Sequence, residues 1–235
     1  MAINIAKFDP ASAYKAHEGT ILAQPVLPGG VKAPFRHQYG YLMKGGAMAG
    51  HAHPTDEIYI VLSGSGIVIL GGRNRRVKAG DVVAIPGGEW HTMLCAESDE
   101  EPFLWGALWW EPVAGGTPAA GGIEVKAFRE GAAYRAHQDT ILADKVVPAS
   151  LAAPFSHQYG YLGDGGEMEL HSHPAMEVYI VFYGSGTVIV GGEEAPIGPG
   201  DVIEIPPGEP HTVRGKAGVP LLWAALWWPD AERAG

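Results

Sequence analysis

Two imidazoles two residues apart at His51 and His53, a carboxylate at Glu57 and a third imidazole at His91 form a donor set for a divalent transition metal. The same four residue types recur at His171, His173, Glu177 and His211. In an extended strand residues i and i+2 share a face, so each close histidine pair can aim both rings at one point. Pro54 has no N–H for a sheet ladder and is expected to end that strand. Glu57 is expected to open the next strand, and His91 to begin a third after the turn Pro86-Gly87-Gly88. Tyr59 and Tyr179 follow the glutamates by two residues and so face the same way, towards the open side of a bound metal. A phenol beside a divalent cation loses its proton more easily and can act as general base or as donor to a bound carboxylate. The competing reading is a core aromatic whose hydroxyl is satisfied locally.

The repetition is not confined to these ligands. All ten histidines fall into pairs 120 residues apart, including His17 with His137 and His37 with His157. The register runs from Phe8/Phe128 to Thr92/Thr212 and then becomes 118, pairing Ala107-Leu108-Trp109-Trp110 with Ala225-Leu226-Trp227-Trp228. This is a tandem duplication with one metal site per copy, hence two metals per chain. The Gly- and Ala-rich run Ala114 to Gly122 reads as a linker, dividing the chain into domains 1–116 and 117–235. His17 and His137 lack ligand spacing and read as structural. Glu167 and Glu169 share strand parity with His171 where the first copy has Ala47 and Ala49; they read first as solvated residues at a strand end, second as acid/base groups.

The elements that must position these residues are short. Ile58 to Leu62, Gly66 to Leu70, Val82 to Pro86 and Phe103 to Trp110 are β-branched or aromatic runs between glycine-containing turns, and helical periodicity is almost absent. Such spacing predicts an all-β sandwich or small barrel in each copy. A helical turn is expected only around Ala11 to His17. In His37-Gln38-Tyr39-Gly40-Tyr41-Leu42 either the His/Tyr/Tyr or the Gln/Gly/Leu set faces inward, and the sequence leaves both open. The tryptophans of the Trp-Trp strands read as core and inter-domain packing, with a substrate wall as the lesser reading.

Charge and composition exclude several partners. The formal net charge is −10. Neither half has a basic stripe, which argues against nucleic acid or an anionic membrane surface. Arg73-Asn74-Arg75-Arg76 is the one concentrated positive stretch and reads as a solvated hairpin turn. A single cysteine, Cys95, excludes an internal disulfide and suits a reducing compartment. The N-terminus has no signal pattern and no apolar run is long enough to span a bilayer, so a cytoplasmic protein is expected. Assembly into a homo-oligomer stays open.

Gly45-x5-His51-x-His53-x3-Glu57-x6-Gly64 resembles the first cupin motif, and Gly80-x5-Pro86-x-Gly88-x2-His91 the second; Gly165 to Gly184 and Gly200 to His211 repeat them. The chain is thus similar to a bicupin, and the resemblance implies two tandem jelly-roll-like β-barrels, each with a metal inside. The asparagine that often closes the second motif is replaced by Cys95 and Gly215; it is not a metal ligand in the family. The pattern His-x-His-x3-Glu-x-Tyr with a later His also resembles the cupin-type dimethylsulfoniopropionate lyases, where the tyrosine abstracts a proton.

Cupins carry many activities, so function rests on the site. Four protein donors saturate a tetrahedral zinc, whereas octahedral Fe(II), Mn(II), Ni(II) or Co(II) keeps two positions free. The expected activity is iron-dependent, dioxygenase-type oxidative cleavage of a small metal-chelating organic acid or enol. The alternatives are a redox-neutral lyase or isomerase using Tyr59 or Tyr179 as base, and a non-catalytic small-molecule-binding protein.

Overall fold

The computed structural model describes residues 2–117 and 122–229, so residues 118–121 of the expected linker lie outside the described residues. The first copy forms β1 (Ile5–Ala6), β2 (Tyr14–Ala16), β3 (Ile21–Gln24), β4 (Arg36–Leu42), β5 (Asp56–Ser63), β6 (Ser65–Leu70), β7 (Arg73–Lys78), β8 (Asp81–Ile85), β9 (His91–Leu94) and β10 (Phe103–Trp110). The second repeats them as β11 (Val125–Ala127), β12 (Tyr134–Ala136), β13 (Ile141–Asp144), β14 (Ser156–Leu162), β15 (Ala175–Tyr183), β16 (Gly186–Val190), β17 (Glu193–Ile197), β18 (Val202–Ile205), β19 (His211–Gly215) and β20 (Leu221–Pro229). Among the described residues no helix is long and apolar enough to cross a membrane.

Each copy builds a β-barrel of the expected kind from a seven-stranded and a three-stranded antiparallel sheet. The large sheets run β11-β8-β5-β10-β4-β3-β2 and β1-β18-β15-β20-β14-β13-β12; the small ones run β7-β6-β9 and β17-β16-β19. Hydrogen bonding crosses the 116/117 division in both directions. Ile5–Ala6 pairs with β18 of the second barrel, and Val125–Ala127 with β8 of the first. Each barrel therefore borrows its edge strand from the other copy, which covers an otherwise open sheet edge.

The large sheets also pack against each other. Strand β5 is buried over seven successive residues because both its faces are covered. Ile58, Ile60 and Leu62 join Val178, Ile180 and Phe182 in a shared inter-barrel core, while Tyr59 and Val61 point into their own barrel. Phe35 and Phe155 meet at 4.8 Å across this interface. Trp110 and Trp228 donate reciprocally to the carbonyls of Ala152 and Lys32, both at 2.9 Å.

Three local expectations need correction. Arg73 to Arg76 lie in β7, not in a turn; the turn is Gly71-Gly72, and the β-branched run Ile67-Val68-Ile69 of β6 draws the arginines into a ladder. Arg76 is not simply solvated, because its guanidinium pairs with buried Asp99. Around Ala11 to His17 the chain makes a turn followed by β2; the 3-10 turn is found in the second copy, at Glu130–Ala132. Finally, His51 and His53 do not sit in a regular strand. His51 makes an isolated bridge to His91, and Pro54 ends the extended segment as expected.

Gly40 and Gly160 show why the β4 and β14 sequences are shared. An added Cβ would lie 2.2 Å from the indole of Trp105 or Trp223, which packs directly against the glycine. We expect Gly160→Ala to destabilise the protein by roughly 1–3 kcal/mol through overpacking. A lowered urea midpoint at unchanged slope is the expected measurement; an unchanged midpoint would contradict this account of the glycine.

Candidate metal centres

The backbone bridge brings the first two rings together. His51 and His91 exchange N–H···O bonds of 3.1 and 2.9 Å, and His171 and His211 exchange bonds of 3.2 and 2.8 Å. The ring centroids of His51 and His91 are 4.3 Å apart, with His53 at 5.0 Å from His91. The third ring is held by its own backbone, whose carbonyl accepts from Gly88 N–H at 2.7 Å. Gly88 has φ +87°, a conformation that favours glycine, so the expected Pro86-Gly87-Gly88 turn is what anchors the His53 segment. In the second copy the four donors of His171, His173, Glu177 and His211 lie within 4.8 Å of one another. In the first, the donors of His51, His53 and His91 do so, and Glu57 Oε2 stands 3.1 Å from His53 Nε2 and 3.4 Å from His91 Nε2.

The proton positions suit a metal. Nδ1 of His51 contacts Ala49 O at 3.3 Å, that of His53 contacts Thr55 O at 3.0 Å, and that of His91 contacts Glu89 O at 2.9 Å. A carbonyl only accepts, so each Nδ1 carries a hydrogen, and Nε2 is the atom left to meet a cation, at His53 in place of the proton it shares with Glu57. His171 and His211 repeat this with Glu169 O and Glu209 O. The Nε2 atoms of His91 and His211 are fully buried without a hydrogen-bond partner. Such orphaned nitrogens fit a coordinated cation, and both donor sets pass this test.

Burial alone would raise the Glu57 carboxyl, but the neighbouring His53 and His91 imidazoles outweigh it and hold it below the usual carboxylate range; Glu177 behaves alike. His53 and His173 are raised by their hydrogen bonds to those glutamates, against burial. His51 is pushed down to about 4, by burial first and then by the His91 and His17 charges. Tyr59 and Tyr179 are buried at 2% exposure and hydrogen-bonded to the glutamates. Burial and the adjacent carboxylate raise both phenols well above their ordinary value, so without a cation they are proton donors.

A cavity of about 350 Å³ opens in front of the first donor set, within the range of small-molecule sites. Arg36, Gln38 and Gly40 line it, so this parity of β4 faces inward, while Tyr39 joins the inter-barrel core. Trp105 and Trp109 also line it, giving part of the tryptophan set a place in the cavity wall; Trp110 packs between barrels.

His17 was not expected here. Its ring packs at a tilt against His51 with centroids 4.5 Å apart and lines the cavity, and His137 packs likewise against His171 at 4.3 Å. Its backbone takes φ +48°, and the loop is tied to the His51 segment through Thr20, whose hydroxyl donates to His17 O and accepts from Ala49 N–H. The matched pair 17/137 was the only sequence signal. Glu167 is exposed and paired to Arg214, and Glu169 is half-buried and bonded to Gln138, so neither faces the donor set as a free acid.

With this geometry in view, the comparisons are concordant. The cupin domain family model matches residues 38–111 and 160–229, and the chain belongs to that family. Salicylate 1,2-dioxygenase from Pseudoaminobacter salicylatoxidans with gentisate adducts has a TM-score of 0.69 at 14% identity, covering 95% of this chain and 81% of that one. A cupin 2 conserved barrel domain protein from Leptotrichia buccalis has a TM-score of 0.65 at 14% identity, covering 94% of both chains. AerE from Microcystis aeruginosa reaches 0.62 at 12% identity, covering 97% of both. These likenesses establish the shared fold. No curated protein sequence matches at a significant level.

Two outcomes are expected. Thr55 Oγ1 lies 2.8 Å from His53 Nδ1, whereas its counterpart is Ala175 and His173 Nδ1 is left unpartnered. Thr55→Ala should weaken metal at the first site by about 10–100-fold and leave the second unchanged. Chelator competition on single-site forms reads this, and equal affinity before and after would remove Thr55 from the design.

The second concerns protons. His53 and His173, raised above the usual 6.5, must shed theirs to bind a metal. Metal binding should therefore release protons, increasingly so as pH falls through the range where these two titrate, with affinity dropping in parallel. Without metal the sign for the fold is opposite. The charged His53 contributes fully below 6.5 and loses its contribution as pH rises through its raised value; Glu57 loses its own as pH falls through its lowered value. Calorimetry in buffers of different ionisation enthalpy measures the release, and a pH-independent affinity would refute it.

Proposed function

We propose that this chain is a metal-dependent enzyme of iron-dependent dioxygenase type, cleaving a small metal-chelating organic acid or enol oxidatively. The proposed ligands are His51, His53, Glu57 and His91, with His171, His173, Glu177 and His211 in the second barrel, for two metals per chain. Covalently the units are 1–116 and 117–235. The partner we propose is a small molecule, not nucleic acid or a membrane surface, in the cytoplasm; unpaired, buried Cys95 suits a reducing compartment.

The observation that carries this reading is a three-imidazole, one-carboxylate set at the end of a cavity of about 350 Å³. Fe(II) bound there would supply two free coordination positions for a chelating substrate and dioxygen. The protein's own part is to bind and orient. Trp105 and Trp109 give an apolar wall that excludes water, Gln38 offers an amide to a substrate oxygen, and the Tyr59 phenol holds its proton against Glu57. Salicylate 1,2-dioxygenase among the neighbours is consistent with such chemistry on this fold.

A second reading, a redox-neutral lyase or isomerase, draws on Tyr59 and Tyr179 standing beside the ligand carboxylates. Oxygen uptake by iron-loaded protein, over a panel of hydroxybenzoates, catechols and β-diketones, separates the two. We expect oxygen consumption with at least one of them, and Tyr59→Phe to reduce it by less than about a hundredfold. Turnover without oxygen, lost by about two to four orders of magnitude in Tyr59→Phe, would instead establish the lyase reading. Tight metal binding with no turnover would indicate a binding protein.

A further inference from the structure

The second copy repeats nearly every residue that lines the first cavity, which makes the differences informative. Fifteen residues line the first cavity. At the matching positions of the second copy thirteen are identical, and the exceptions are Arg36, replaced by Ser156, and Thr55, replaced by Ala175. The first change removes a charge from the second copy and the second removes a hydroxyl. Thr55 acts on a ligand imidazole, so the one charged group that distinguishes the two cavities is the Arg36 guanidinium.

Its place follows from sheet register. Arg36 stands opposite Trp109, and Trp109 opposite Glu57, so the three occupy one row across β4, β10 and β5 and share a face. Two inter-strand spacings put the Arg36 and Glu57 backbones about 10 Å apart. A long side chain from that position can bring its fork over the cavity while leaving room for a small molecule between it and the ligand set. The next row, Gln38-Ala107-Tyr59, keeps that room open because its central residue is alanine. In the second barrel the first row reads Ser156-Trp227-Glu177.

Among the described residues Arg36 makes no ion pair, unlike Arg76 and Arg214, which each face a carboxylate. The nearby loop acids do not supply the first copy with a partner for Arg36: Asp139 and Glu167 of the second copy correspond to Gly19 and Ala47. Glu18 in the first copy corresponds to Gln138, and Glu169 in the second to Ala49, so each copy has one acid across these two positions. An unpaired guanidinium at the mouth of a half-apolar cavity is a receptor for a planar anion, which it binds through two parallel N–H donors.

We propose that the N-terminal barrel is the one that takes substrate, that this substrate carries a carboxylate besides the group that meets the metal, and that Arg36 pairs with that carboxylate. Arg36 is the specificity-determining residue, and the C-terminal site holds its metal without binding such a ligand. This rests on the metalloenzyme reading above and adds the substrate's second anionic group and the division of labour between barrels.

The test uses full-length protein loaded with Co(II) in two single-site forms. His171→Ala/His173→Ala leaves the N-terminal site, and His51→Ala/His53→Ala leaves the C-terminal one. Malonate, succinate, phthalate and salicylate are titrated into each, read by calorimetry and by the visible cobalt bands. At least one should bind the N-terminal form about tenfold or more tightly than the C-terminal form, as expected for one charge-assisted pair. Arg36→Met should abolish the preference at unchanged cobalt content, Arg36→Lys should keep part of it, and Ser156→Arg should confer binding on the C-terminal form. Cobalt uptake with equal affinities in the two forms, or with a preference that survives Arg36→Met, would overturn this inference and leave the metal reading standing. Failure of either form to take up cobalt would overturn both.

Discussion

A buried carboxylate at the end of each barrel sets the terms for everything around it. Glu57 and Glu177 are about 95% buried, and an ionised carboxylate in such a place costs several kcal/mol unless a cation and hydrogen bonds compensate it. The protein meets this requirement with imidazoles on separate segments. His53 shares the glutamate's neighbourhood through a three-residue turn, and His91 arrives from another sheet through its bridge to His51. The barrel is needed because no single sheet brings those segments together. Protons and a divalent metal compete for the same compensating role, which ties the ligands' charge state to occupancy.

The second constraint is that the sheet carrying Glu57 and Tyr59 must be rigid on its reverse side. Successive residues of β5 serve alternate purposes: Ile58 and Ile60 pack into the inter-barrel core, while Glu57 and Tyr59 face the site. Side-chain alternation therefore couples each candidate metal centre to the other barrel through a single strand. The borrowed edge strands reinforce that coupling, because β11 closes the sheet next to β8, which is itself paired with Glu57 through Ile85. A copy severed at residue 116 would lose both its edge strand and the cover on one face of its central strands.

How much of this was legible depends on whether the signal was local. The clustering of the donors was readable because two-residue spacing, a following carboxylate and a second copy all pointed to one chemistry. The barrel class was readable from short β-branched runs and glycine turns. His17 escaped because it reaches the site from a loop with left-handed backbone, where strand parity has no meaning. The inward parity of β4 was undecidable because His37-Gln38-Tyr39-Gly40 puts polar groups on both faces. The face holding Gly40 is selected by Trp105, which can lie only over a residue without a Cβ. The strand exchange was invisible, since Ile5–Ala6 and Val125–Ala127 are too short to carry periodicity and find partners far away in the chain.

Duplication then explains why asymmetry carries information. Two copies that must each bury the same glutamate and support the same inter-barrel core are constrained alike at ligands, glycines and tryptophans, whatever reaction either performs. Positions facing only the cavity are free of that shared load. A guanidinium kept in one cavity and a serine in the other cannot be explained by packing, because the side chain at that row is exposed and the neighbours Trp109 and Trp227 are the same. Holding a metal would need only the donor set, and both copies have those four residues. Recognition of an anion needs a further charge, and the first copy alone has it at that row.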